Sequence, residues 1–228
     1  DERIYRAAEV EAARGVRDTA THAVKPSSRE TRVRETVRKM QSMRWGVSDF
    51  RFNEVLGYGR ASTVFRAVHK SVGMEFAIKK CDGNQLRSAC ERHRLEQEIA
   101  LHSNLFHPAI TTFYGSFTDD EENVYLILEF ANKGDLFNLL YSPRAHGDTC
   151  SEDFYVLSEA EICERIMVPL ISAIACLHKE EVIHCDIKPE NLLMHNETGG
   201  FKLADFGFAT DLKRDRAITR LGQYIPEP

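Results

Sequence analysis

Between Trp45 and Phe130 the sequence breaks into five short β-rich runs around one long charged segment, and this order restricts the fold more than any other feature. Phe50–Leu56, Thr63–His69 and Met74–Lys80 are rich in β-branched and aromatic residues and are separated by Gly-containing turns. Residues from Gln85 to Asn104 are charged and numerous enough for a helix, which ends before His107-Pro108. Ile110–Phe117 and Val124–Phe130 follow as two more strands, with the acidic turn Asp119–Asn123 between them. Three strands, a helix and two strands predict a small antiparallel sheet carrying one helix. After Gly134 the pattern turns helical. Ser158 and Glu161 form a capping box, in which hydroxyl and carboxylate satisfy exposed N–H groups reciprocally. It opens a helix with Ile162, Ile166, Leu170, Ile174 and Leu177 near one face, after a long loop over 142–157. The predicted fold class is therefore α+β.

The 228 residues, 43% hydrophobic and 29% charged, exclude collagen-like and wholly disordered chains. Charge is unevenly spread: residues 1–48 carry a formal +4 and the remainder −9. No global basic field advertises a nucleic-acid partner. Residues 1–44 form a basic, partly helical or disordered extension. Within it Val33, Val37 and Met40 make one thin apolar stripe, read either as a solvated, frayed helix or as a membrane-surface or partner-binding one. The first residue is Asp1, not Met, which suggests a fragment. Six cysteines lack metal-ligand spacing, and with no secretory segment they suggest a reducing compartment, cytoplasmic or nuclear. The longest apolar stretch, Ile166 to Leu177, is too short to span a bilayer and contains Pro169.

Leu56-Gly57-Tyr58-Gly59 lies between two strands, where paired glycines let the backbone approach phosphate oxygens; a plain hairpin turn has the same appearance. Lys79 on the third strand follows that hairpin directly, so its ammonium is placed to reach a phosphate. Glu98 on the next helix is a candidate ion-pair partner, with Glu96 as competitor. The segment His184-Cys185-Asp186-Ile187-Lys188-Pro189-Glu190-Asn191, followed by Asp205-Phe206-Gly207, holds the inventory of metal-assisted phosphoryl transfer. One carboxylate accepts a proton, a Lys balances phosphate charge, and an Asn with a second Asp holds Mg²⁺.

In order and spacing these motifs resemble the eukaryotic protein kinase family over residues 48–228. The resemblance implies a bilobal fold, with an N-lobe and hinge over 45–131 and an incomplete, mainly helical C-lobe over 132–228. It implies Asp186 as catalytic base, Lys188 as γ-phosphate contact, Lys79 as nucleotide-phosphate Lys and Glu98 as its partner. Asn191 and Asp205 become the Mg²⁺ ligands. The ATP site would be formed by Leu56, Gly57, Gly59, Val64, Ala77, Glu129, Ala131, Asp135 and Leu193, with Leu128 as gatekeeper. Lys188-Pro189-Glu190-Asn191 resembles the serine/threonine branch. Trp45, Asp49-Phe50, VYLILEFA and VIH-DIKPENLL are similar to the Aurora group, while the calmodulin-dependent and polo-like groups share much of this pattern. The implied partner is a protein with Ser or Thr acceptors, its context mildly basic if Asp135 and Glu190 face the peptide.

Three departures qualify the resemblance. Ser62 stands where the loop's third glycine is usual. Cys185 replaces the usual Arg before the catalytic Asp, so a phosphate on Thr219 is expected to activate weakly. The chain stops near the family's A-P-E position with Ile225 for Ala, which implies a truncated C-lobe and a poorly soluble or inactive fragment. The alternative function is a pseudokinase or regulatory nucleotide-binding module.

Overall fold

The computed structural model describes residues 28–86, 88–141, 157–195 and 200–213. Helix α1 (Ser28–Gln41) precedes a five-stranded antiparallel sheet of β1 (Phe50–Tyr58), β2 (Ser62–His69), β3 (Glu75–Cys81), β4 (Phe113–Thr118) and β5 (Val124–Glu129), in the order β1-β2-β3-β5-β4. Helix α2 (Ala89–Asn104) lies between β3 and β4. This is the sheet-plus-helix lobe that the alternation predicts. The β3 strand is central, and Phe76, Ala77 and Ile78 on it are all buried. Its register pairs Lys79 with Val64 on one side and Leu126 on the other.

The apolar stripe of α1, Val33, Val37 and Met40, is buried in one cluster with Trp45, Phe50, Phe76 and Tyr114. The solvated or frayed reading of this segment therefore fails for Ser28–Gln41. Composition misleads here because the basic residues line the outer faces, while Met40 on the inner face is 0% exposed. Trp45 closes the seam by donating its indole N–H to the Met40 carbonyl at 3.0 Å. Gly115 (φ +155°) admits that ring: a Cβ there would sit 2.7 Å from the Trp45 Nε1.

Helix α2 starts four residues later than Gln85. Ser88 is its N-cap, with Oγ accepting from the Glu91 N–H at 3.1 Å and Glu91 Oε2 accepting from the Ser88 N–H at 3.3 Å. Residues 82–86 instead turn on the Asp82 carbonyl, which accepts from Gln85 and Leu86. The predicted strand at Ile110 begins only at Phe113. Ile110 and Thr111 are drawn to the other lobe, where the Thr111 N–H donates to the Leu203 carbonyl at 2.9 Å.

The second lobe contains α3 (Leu136–Tyr141), α4 (Glu159–Ile162), α5 (Val168–Lys179) and the short strands β6 (Val182–Ile183), β7 (Leu192–Met194), β8 (Phe201–Leu203) and β9 (Thr210–Asp211). Pairing is antiparallel in β6–β9 and β7–β8. The capping box at Ser158 forms as predicted, with Glu161 Oε2 accepting from the Ser158 N–H at 2.9 Å. Helices α4 and α5 are joined by a π-helical turn, Cys163–Met167, just before Pro169, whose missing N–H interrupts the ordinary ladder. The wider turn rotates the apolar face. Ile166, Ala173 and Leu177 are buried, whereas Ile162, predicted on that face, is exposed along with Met167, Val168 and Ile171. Among the described residues no helix is long and apolar enough to cross a membrane.

Candidate active site

Strand β3 and helix α2 bring Lys79 and Glu98 together. Lys79 Nζ lies 2.7 Å from Glu98 Oε1 and 3.2 Å from Asp205 Oδ1. Glu98 therefore takes the partnership for which Glu96 competed. Asp205 holds φ +60° and accepts from the Gly207 N–H at 3.3 Å, a turn that aims its carboxylate at the ammonium. Burial alone would lower the Lys79 pKa, but Glu98 and Asp205 outweigh it and hold the ammonium charged well above its ordinary range. Burial pushes the Glu98 carboxyl up, with Lys79 drawing it partway back. Burial also acts to raise Asp205, and Lys79 reverses this, leaving that carboxyl below the usual range.

A second constellation follows β6. Cys185 (φ +62°) turns the chain so that Asp186 meets Lys188 and Asn191. Lys188 Nζ lies 2.9 Å from Asp186 Oδ2, and Asn191 Nδ2 donates to the same oxygen at 2.9 Å and to the Asp186 carbonyl at 2.8 Å. Positive φ at two non-glycine residues beside the charged cluster is backbone strain of the kind found at functional sites. The two constellations are tied by backbone. Ala204, next to Asp205, donates its N–H to the Asn191 carbonyl at 2.9 Å, and its carbonyl faces His184 Nε2 at 3.1 Å.

Comparison with known proteins agrees with this geometry: the protein kinase domain matches residues 50–224. The chain belongs to the protein kinase family. It is 34% identical to an Aurora kinase of Patiria pectinifera over 189 residues, 82% of this chain and 43% of that relative. It is 33% identical to an Aurora kinase of Schizosaccharomyces pombe over 179 residues, 78% of this chain and 46% of the relative. Similarity to the serine/threonine-protein kinase Aurora-1 of Arabidopsis thaliana is 35% over 184 residues, 80% and 58% respectively. The chain spans about half the length of the curated relatives it matches.

Within this kinase fold the remaining predicted residues lie on or next to the strands, on the β1–β2 hairpin and at the start of α3. Val64 pairs with Lys79, Ala77 with Leu128, and Leu193 with Lys202; Leu193 also bridges to Asp135. Leu56, Gly57 and Gly59 lie on the β1–β2 hairpin, where the Gly59 N–H donates to the Ser62 carbonyl at 2.7 Å. A Cβ on Gly59 would fall 2.5 Å from Ser62 Oγ, so a side chain there would require the Ser62 hydroxyl to rotate away. Ala131 follows β5, half-buried. Asp135 caps α3, both of its carboxylate oxygens accepting from Asn138 at 2.7 Å. Cys185 Sγ lies 4.0 Å from Thr210 Oγ1; Thr219 lies outside the described residues.

Two groupings of buried side chains escaped sequence reasoning. Glu129 was expected at the ATP site, and its buried carboxylate bridges Lys202, His195 (3.2 Å) and Thr112, whose N–H and Oγ1 both donate at 2.9 Å. Burial would raise this carboxyl; Lys202 and His195 outweigh it and hold it low. The second grouping is a ring cluster in which Phe206 meets His102 at a tilt (4.5 Å) and His184 edge-on (4.9 Å). No sequence signal marks His102, which looks like any polar residue late in a charged helix.

His102 is 1% exposed, its Nε2 is 2.7 Å from the Thr111 carbonyl, and burial pushes its pKa down to about 4. An unfolded His titrates near 6.5. Between these values the unfolded chain binds a proton that the folded chain refuses, so stability present above pH 6.5 is lost as pH falls toward 4. His69 and His184, also lowered by burial, act in the same direction. A loss of about 2 kcal/mol between pH 7 and pH 5 is expected for His102 alone. Urea midpoints at the two pH values check it, and His102→Gln should flatten the difference.

Proposed function

We propose that this chain carries the catalytic residues of an ATP-dependent serine/threonine protein kinase, transferring the γ-phosphoryl group of MgATP to protein hydroxyls. The observation that carries the reading is the pair of charged groups, Lys79 with Glu98 and Asp205, and Asp186 with Lys188 and Asn191, tied together through the Ala204 backbone. Lys79, held by Glu98, is the cation for the nucleotide phosphates. Asp186 accepts the proton of the acceptor hydroxyl as that oxygen bonds the γ-phosphorus and the bond to the ADP oxygen breaks. Lys188 balances charge on the transferring group. The N-lobe hairpin with Gly57 and Gly59, together with Val64, Ala77 and Leu193, covers the nucleotide.

The donor set fits Mg²⁺. Magnesium takes hard oxygen ligands and typically uses one or two protein groups, the rest being phosphates and water. Asn191 spends its Nδ2 hydrogens on Asp186, which leaves its Oδ1 as the ligand atom, and Asp205 supplies a carboxylate. Bound there, the ion would neutralise phosphate charge and orient the γ-phosphoryl group.

Asp135 capping α3 weakens the case for a strongly basic peptide preference, which leaves exposed Glu190 as the nearer candidate. A surface carboxylate–Arg pair contributes about 0.2–1 kcal/mol, so the bias on a peptide array should be modest. The deciding measurement is transfer of radiolabelled γ-phosphate to a generic protein substrate by the full-length protein. Labelled phosphoserine and phosphothreonine are expected. Nucleotide binding with no transfer would overturn the catalytic reading in favour of a regulatory one.

A further inference from the structure

Helix α1 lies before the residues that match the kinase domain, which begin at Phe50, yet it is bonded to α2, the helix that carries Glu98, and to β4. Gln41, its last residue, donates from Nε2 to the Ser103 carbonyl in the final turn of α2 at 3.0 Å and to the Phe113 carbonyl at the start of β4 at 3.1 Å. A primary amide has two N–H donors, so one side chain meets both carbonyls and ties α2 to β4. Between those elements, the Arg34 guanidinium lies 5.1 Å over the Phe106 ring. Met40, one residue earlier, is fully buried in the N-lobe core and anchors the amide's backbone.

Besides Gln41, helix α2 is held by the Lys79–Glu98 pair, by the packing of Leu95 and Leu101 and by His102 on the Thr111 carbonyl. Of its sixteen residues only Leu95, Glu98, Leu101 and His102 are buried, and two of those are polar. Its N-terminus is held by its own capping box. The end that Gln41 grips is also the end that reports to the site. His102, beside Ser103, touches Phe206 and also Phe113 (5.6 Å), while Glu98 lies about one turn earlier in the same helix.

We propose that α1 is an internal docking segment that holds α2 in the orientation where Glu98 meets Lys79, with Gln41 as the positioning residue. The inference deepens the kinase reading and rests on it for its activity measurement. Because the paired carbonyls accept hydrogen bonds, a donor at position 41 is required and a carboxylate is repelled.

The test compares Gln41→Glu with Gln41→Lys in the full-length protein, reading amide hydrogen exchange over residues 89–104, thermal midpoint and steady-state kinetics. Gln41→Glu is expected to speed exchange in α2 and to lower kcat by about fivefold or more, with KM for the peptide nearly unchanged. Gln41→Lys keeps N–H donors and should restore both. Unchanged exchange or unchanged kcat in Gln41→Glu overturns the proposal. So does an equal loss in both variants that follows the thermal midpoint, since that is general destabilisation. If the wild type transfers no phosphate, the kinase reading fails, whereas the exchange comparison still decides the role of α1.

Discussion

Lys79→Met is expected to lower kcat by about 10²–10³-fold, the scale for removing one preorganised electrostatic contact to a transition state. On motif grounds alone this change should leave the fold intact, since it removes charge rather than packing. The structure alters that expectation. The Lys79 and Glu98 side chains are only 15% and 7% exposed, so the substitution strands a buried carboxylate. Removing one partner of a buried pair costs about 3 kcal/mol or more. Burial already pushes the Glu98 carboxyl up, so the stranded group is expected to take up a proton. The double variant Lys79→Met/Glu98→Gln should then regain most of the lost stability and none of the activity. Chemical denaturation beside single-turnover phosphotransfer separates the two effects. Activity that recovered with stability would show that Lys79 acts through folding alone.

The second large effect is expected at Lys202. Its side chain and that of Glu129 are each 5% exposed, and their ion pair joins the C-terminal end of β5 to the strand that leads into Asp205. Lys202→Met leaves Glu129 with His195 and Thr112 as remaining partners. A destabilisation of about 3 kcal/mol is expected, the low end for breaking a buried pair because those partners remain. Lys202→Met/Glu129→Gln removes both charges, and the amide oxygen still accepts from Thr112, so the double variant should return to within about 1 kcal/mol of wild type. Urea unfolding of the four proteins in a double-mutant cycle gives the coupling directly. A cycle with no coupling would mean that the pair contributes nothing to holding the lobes together.

Much of the site was legible before any tertiary contact was known. Lys79, Glu98, Asp186, Lys188, Asn191 and Asp205 were all chosen by residue type and spacing, and the structure gathers them into two bonded groups. Glu98 and Glu96 were indistinguishable by spacing until the fold placed Glu98 against β3. His102, Lys202 and the side chain of Glu129 were not chosen because nothing in their neighbourhoods marks them. Their partners, Phe206 for His102 and each other for Glu129 and Lys202, lie far away in sequence.

By itself, the sequence determined the order of the five N-lobe strands and the helix among them, the capping box at Ser158 and the candidate residues of the site. These depend on interactions within a few residues, where periodicity, hydroxyl-to-amide geometry and motif spacing act directly. Tertiary structure alone decided that the apolar stripe of α1 is buried, that the π turn before Pro169 turns Ile162 to the surface, and that Gln41 joins α2 to β4. Each of these turns on which apolar face finds a partner and on which distant carbonyl lies within reach of a donor. Local propensity carries no information about either, because the same basic helix is stable against solvent or against a sheet only according to what the rest of the chain places beside it.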